Sequence, residues 1–422
     1  MEKLIIEGER PLKGEVTISG AKNAALPIMA ATLLTDEPCV LRNIPQLRDT
    51  RTMIALLESL GKAVQVDGDK VTISSTDKMD CVADYKLVST MRGSFCVLGP
   101  LIAKLAKAKV SLPGGCVIGI RPVDLHLKGL KALGAKIEIE NGYVLANARH
   151  LRGSHIYLGG MFGSSVLATA NILMAATLAK SQTIIESAAC EPEIENLTQF
   201  LIAMGAKIKG KGSHCLTVTG VKKLRGVSFK IIPDRIEAGT YILMAAATKS
   251  CITVRNGCYA HLMGLIDKLD QAGVKVTEEE GLIKVRPRKT IKPIGITTHP
   301  YPGFPTDLQA QFMALMALTQ GVSVITDKIY PDRFMHIAEL NRMGADIRRD
   351  GPNAIVNGIK KLYGAPVMAS DLRASAALII AGLAAKGRTE IHRMYHLERG
   401  YEALDEKLTA LGAKVYREQE SL

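Results

Sequence analysis

The chain has 422 residues, 47% of them apolar, and because single hydrophobic cores stop growing at roughly 250 to 300 residues, two domains are expected. Lys and Arg number 54 against 41 Asp and Glu, a net charge of +13 that points to an anionic partner or substrate. An aromatic content of 4% without tryptophan argues against a nucleic-acid binder that stacks bases on flat rings.

In chain order, residues 3–8 (KLIIEG) read as a strand and residues 24–34 (AALPIMAATLL) as an Ala-rich helix. A second helix then closes on glycine in LLESLGKAV, and a strand, DKVTISS, follows. The same closing phrase returns at Gly134, Gly205, Gly273, Gly344 and Gly412, at intervals of 73, 71, 68, 71 and 68 residues from Gly61 onward. Each unit therefore reads helix, strand, helix, glycine cap, strand, strand. The helices ATANILMAATLA and RASAALIIAGLAA are apolar nearly all round, so they belong inside, with strands as an outer wall. The last unit ends at GAKVYREQESL without a final strand, and the N-terminal KLIIEG can supply it. That closure assigns residues 1–22 with 233–422 to one domain of three repeats and residues 23–232 to another. A cleft between them is the natural place for a site. A solenoid scaffold is the alternative reading, although a period near 70 exceeds the about 20 to 50 residues of most solenoid units.

The eight cysteines, at 39, 81, 96, 116, 190, 215, 251 and 258, form no C-x-x-C pair and are read as free thiols of a reducing compartment. Cys96 and Cys251 fall in apolar runs and are expected in the core. No apolar run approaches about 18 residues without polar interruption, so the protein is expected to be cytoplasmic with no membrane partner.

Four segments depart from what packing demands: SGAKNAALP (19–27), LPGGCVIGIRPVDL (112–125), PTDLQAQ (305–311), and DLRASA (371–376) with HLERGY (396–401). Together they resemble the UDP-N-acetylglucosamine 1-carboxyvinyltransferase family of enolpyruvyl transferases, and the resemblance runs over essentially the whole chain. It implies an α/β fold of two inside-out barrel domains, each of three repeats with buried helices and outer sheets. It also implies phosphoenolpyruvate and UDP-N-acetylglucosamine as substrates and fosfomycin as a covalent inhibitor; no cofactor or metal is expected, because arginine and lysine can neutralise the phosphate directly. The related transferase acting on shikimate 3-phosphate lacks the PGGC loop and the RPVD turn. An inactive paralogue that senses UDP-sugars is a further alternative.

By the same resemblance, Lys22 and Asn23 meet phosphoenolpyruvate and Arg92 lies beside the sugar nucleotide. Arg121, Pro122, Val123, Asp124 and Leu125 form a turn holding nucleotide and phosphate. Gly163, Ser164, Ser165 and Val166 match a nucleotide segment but depart from the family's Lys- or Pro-containing versions, leaving the backbone N–H groups of Gly163, Ser164 and Ser165 ahead of a helix to bind phosphate. Asp307 and Ile329 match sugar-nucleotide contacts, and Arg373 and Arg399 match arginines around the enolpyruvyl group. Cys116, Asp307, Lys22 and Arg399 carry the catalytic roles, Cys116 as an acid and as the residue alkylated by fosfomycin. The cations suit the chemistry, since phosphoenolpyruvate carries about three negative charges and the nucleotide about two, and arginine binds carboxylate and phosphate bidentately. Read from residues alone, Asp307 is either a helix N-cap or a base for the sugar hydroxyl. Asp124 is either a turn residue or a uracil contact, and His126 either packs or meets the nucleotide.

Overall fold

The structure, a computed structural model, describes residues 2–114, 123–288 and 290–420. These fall into two compact units: one takes residues 2–19 and those from 233 onward, the other those between 20 and 232.

In the second unit, helices Lys22–Ala31, Leu98–Leu105 and Val166–Ala176 form the interior. Their alanines and glycines bring the backbones close. A Cβ on Gly99 would fall 2.2 Å from the Asn171 carbonyl oxygen, so any larger residue there forces Leu98–Leu105 away from Val166–Ala176. Three four-stranded sheets cover these helices. In the first, Ser228–Lys230 pairs parallel with Cys39–Arg42, which pairs antiparallel with Lys70–Ser75, and Lys62–Asp67 closes the edge. Val71 and Ile73 alternate inward from Lys70–Ser75 and are buried, as a sheet with one face on a core requires.

The first unit repeats the plan. Every residue of the helix Gln309–Ala317 is buried, as are nearly all of Arg235–Ala247 and Leu372–Ala384. The N-terminal strand Glu2–Glu7 lies between Arg388–His392 and Lys414–Gln419, with Ile5 opposite both Glu390 and Tyr416. The last repeat is therefore completed by the first strand of the chain, as its missing partner required. All six repeat glycines have positive φ, from 89° at Gly412 to 105° at Gly205, which is why the closing phrase carries glycine each time. Among the described residues no helix is long and apolar enough to cross a membrane.

Candidate active site

In the first unit, Pro305 leads into a single 3-10 turn, Thr306–Leu308, ahead of the buried helix Gln309–Ala317. No side chain caps either start, so the cap reading of Asp307 does not hold. The carboxylate is instead clasped by two arginines. Its Oδ1 accepts from Arg333 Nη1 at 2.7 Å and its Oδ2 from Arg373 Nη2 at 3.1 Å. The arginine side chains are only 6% and 4% exposed while that of Asp307 is 27% exposed, so the acid is the member of the cluster that solvent or substrate reaches. Burial alone would push the Asp307 carboxyl up, but the attraction of Arg373 and Arg333 outweighs it and holds the group well below the usual carboxylate range. Burial likewise opposes the charge on Arg373, and Asp307 more than restores it.

A second layer fixes Arg373. The Tyr401 hydroxyl accepts from Arg373 Nη1 at 3.2 Å and from Gln311 Nε2 at 3.3 Å, and lies 2.9 Å from the Thr240 hydroxyl. Gln311 Nε2 also donates to the Asp307 carbonyl at 2.8 Å. Asp371 caps the helix Leu372–Ala384 through the N–H groups of Arg373 and Ala374, which fixes where the Arg373 side chain starts. Tyr401→Phe should therefore lower stability by about 1–2 kcal/mol, because Arg373, Gln311 and Thr240 lose a buried partner together. Chemical denaturation measures this, and an unchanged midpoint would mean that the hydroxyl is not shared in this way. Ile329 has its N–H on the buried Asp327, and Arg399 ends the 3-10 segment Met394–Arg399.

In the second unit, Lys22 opens the first buried helix and its Nζ lies 2.9 Å from Asp49 Oδ2, with both residues buried. Asn23 follows it on the helix, half-buried. Arg92 begins the turn Arg92–Val97. Val123 precedes the helix Asp124–Ala132, so Asp124 stands in a helical first turn where a carboxylate suits the helix dipole. Leu125 packs beside the hairpin formed by Gly159–Gly160 and Gly163–Ser164: a Cβ on Gly160 would meet its Cδ1 at 3.1 Å. Ser165 then caps the helix Val166–Ala176, its hydroxyl accepting from Ala168 N at 3.3 Å. The structure thus brings Leu125 and the Gly163–Val166 segment together. Cys116, Arg121 and Pro122 lie outside the described residues.

His126 resolves toward packing. Its ring meets Phe95 edge-on at 5.1 Å, and its Nδ1 lies 2.8 Å from Asn171 Nδ2. Since an amide nitrogen can only donate, Nδ1 accepts and the imidazole is neutral. Burial, aided by the positive charge of Arg92, pushes its pKa down to about 3. A base whose folded pKa lies below its ordinary value leaves the unfolded chain to bind the proton first. Stability is then full above about pH 6.5 and falls as pH drops toward 3, by at most about 5 kcal/mol for this group. Tm measured between pH 6.5 and 4 should fall less steeply in His126→Gln than in wild type. Identical slopes would rule out His126 as a source of the acid sensitivity. Cys96 is buried with its thiol pushed up to about 12, as a core thiol should be, whereas Cys251 is exposed just ahead of the strand Ile252–Arg255 and is not a core residue.

Arg333, Tyr401 and Asp49 were not among the expected site residues. Arg333 sits in YPDRF, which has the composition of an ordinary surface turn, and Asp49 in a short polar stretch before a helix. Only Tyr401 carried a signal, as the last residue of HLERGY.

The family model for EPSP synthase (3-phosphoshikimate 1-carboxyvinyltransferase) matches residues 6–408, and the chain belongs to this family of enolpyruvyl transferases. Among curated relatives, the UDP-N-acetylglucosamine 1-carboxyvinyltransferase of Lawsonia intracellularis is 52% identical over 420 residues, covering 100% of both chains. The protein of the same name from Geotalea uraniireducens is also 52% identical over 420 residues. Of solved structures, the enolpyruvyl transferase NikO from Streptomyces tendae superposes with a TM-score of 0.88 at 24% identity, covering 99% of this chain and 98% of that one. EPSP synthase from Acinetobacter baumannii gives 0.76 at 19% identity, covering 99% and 100%. At such identities these two establish the fold, which is that of the enolpyruvyl transferases.

Proposed function

We propose that this chain transfers the enolpyruvyl group of phosphoenolpyruvate to the 3′-hydroxyl of UDP-N-acetylglucosamine, releasing phosphate in the first committed step of peptidoglycan synthesis. The observation that carries the chemistry is the Asp307 carboxylate, partly open and clasped by Arg333 and Arg373. The choice of acceptor is supported by the full-length relatives that bear the UDP-N-acetylglucosamine name.

The reaction is an addition followed by an elimination. The sugar oxygen adds to C2 of phosphoenolpyruvate while its proton passes to Asp307 and C3 gains a proton. Phosphate then leaves C2 as C3 gives up a proton, restoring the double bond. In the unliganded clasp Asp307 is a weak base, because two cations stabilise its charge. An anionic substrate that draws Arg373 or Arg333 to itself removes part of that stabilisation and raises the basicity of Asp307. The base is thereby armed by the substrate. Lys22, Arg373 and Arg399 neutralise charge on the transferring group, which arginine and lysine can do without a metal. Lys22 is held for that task by Asp49. Asn23 is a further phosphoenolpyruvate contact. Arg92, Arg121, Pro122, Val123, Asp124, Leu125, Gly163, Ser164, Ser165, Val166 and Ile329 serve the sugar nucleotide. Cys116 supplies the acid and is the site of fosfomycin alkylation, and the reaction belongs to the cytoplasm.

The test is phosphate release from phosphoenolpyruvate with UDP-N-acetylglucosamine present, absent, or replaced by shikimate 3-phosphate. Release that requires the sugar nucleotide is the expected result. Release with shikimate 3-phosphate instead would transfer the chain to the other branch of its family, and release with neither would leave a binding protein.

A further inference from the structure

Asp327 is fully buried, and its two carboxylate oxygens serve different neighbours. Oδ1 accepts from the Thr298 hydroxyl at 2.8 Å, from the N–H of Ile329 at 3.0 Å and from that of Tyr330 at 2.8 Å. Oδ2 accepts from the Thr306 hydroxyl at 2.7 Å. A threonine hydroxyl has one proton, so committing it to a carboxylate, which can only accept, fixes where its lone pairs point. At Thr298 the lone pair takes the Lys328 N–H at 3.0 Å. At Thr306 it takes Arg333 Nη1 at 3.3 Å, the nitrogen that also donates to Asp307 Oδ1 at 2.7 Å.

We propose that Asp327 is a positioning residue for the reaction, with two separable arms. Through Oδ1 and Thr298 it sets residues 328–330, which carry Ile329. Through Oδ2 and Thr306 it sets the guanidinium that orients Asp307. The proposal rests on the functional reading above, in which Ile329 contacts the nucleotide and Asp307 is the base. Asp327 has no exposed surface of its own and acts only through these neighbours. Charge-assisted hydrogen bonds are the stronger kind, which suits a group that must hold two hydroxyls in one orientation each.

The two arms make different predictions. In the phosphate-release assay, Thr306→Val, which removes the hydroxyl but keeps the shape, should lower kcat by about tenfold while leaving the nucleotide KM within about twofold. Thr298→Val should do the reverse, raising the nucleotide KM by about tenfold with kcat within about twofold. Serine at either position keeps the hydroxyl and should restore the affected constant. Asp327→Asn should show both defects, and if that variant does not fold, the two threonine series carry the test alone. The proposal is overturned if both valine variants change kcat and KM alike in step with a lowered Tm, if either is without effect, or if serine does not rescue. Wild-type protein that released no phosphate with the nucleotide would overturn the functional reading instead, and the wild-type control in the same assay tells the two failures apart.

Discussion

Asp307→Asn is expected to lower kcat by about 10² or more, the usual scale for removing a general base, while weakening nucleotide binding much less. The clasp geometry adds a second expectation. Asparagine can still accept from one arginine through its carbonyl oxygen, but its amide presents hydrogens to the other, and two donors repel. Arg333 or Arg373 then loses its carboxylate partner, and its charge becomes available to an anion. The KM for phosphoenolpyruvate should therefore hold or fall even as kcat collapses. Steady-state phosphate release gives both constants, and calorimetry gives the nucleotide affinity. A near-normal kcat would reduce Asp307 to the counterion of two buried arginines.

Much of the fold was legible because it is written in local patterns. The Ala-rich helices carry no polar face, and the structure buries every residue of Gln309–Ala317 and nearly all of the others. The repeat glycine marks a backbone conformation that other residues adopt at a cost, so its recurrence reports a recurring turn. The N-terminal strand was legible by subtraction, since one repeat lacked a strand and one strand lacked a repeat.

The partners within the candidate site were harder to read, because they meet across long separations. Arg333 reaches Asp307 over 26 residues and Asn171 reaches His126 over 45, and nothing in the local sequence of either pair records the other. Asp307 illustrates the limit. A carboxylate near a helix start satisfies the pattern for a cap, and only the absence of a cap bond together with two buried guanidinium groups shows otherwise. Cys251 failed for the opposite reason. Its apolar neighbours suggested the core, but the residue falls before the strand begins and remains exposed.

Cys116 is expected to be the residue whose loss abolishes both turnover and covalent inhibition. It stands in a run with Gly114, Gly115 and Gly119, and Arg121 lies five residues on. An acid that delivers a proton toward C3 needs only an exchangeable hydrogen, whereas opening the epoxide of fosfomycin needs a soft nucleophile. Substitution separates these demands. Cys116→Ala should lower turnover by about 10² or more and take up no fosfomycin. Cys116→Asp should keep substantial turnover without the adduct, with its optimum moved to lower pH, because a carboxyl with an ordinary pKa of about 4 is a proton donor only in acid, where a thiol near 8.5 still holds its proton at neutrality. Cys215 and Cys251 are exposed and serve as internal controls, since a reagent guided by access alone would label them as well. Mass spectrometry that finds the adduct on either of them and not on Cys116, or an alanine variant with normal turnover, would remove Cys116 from the mechanism.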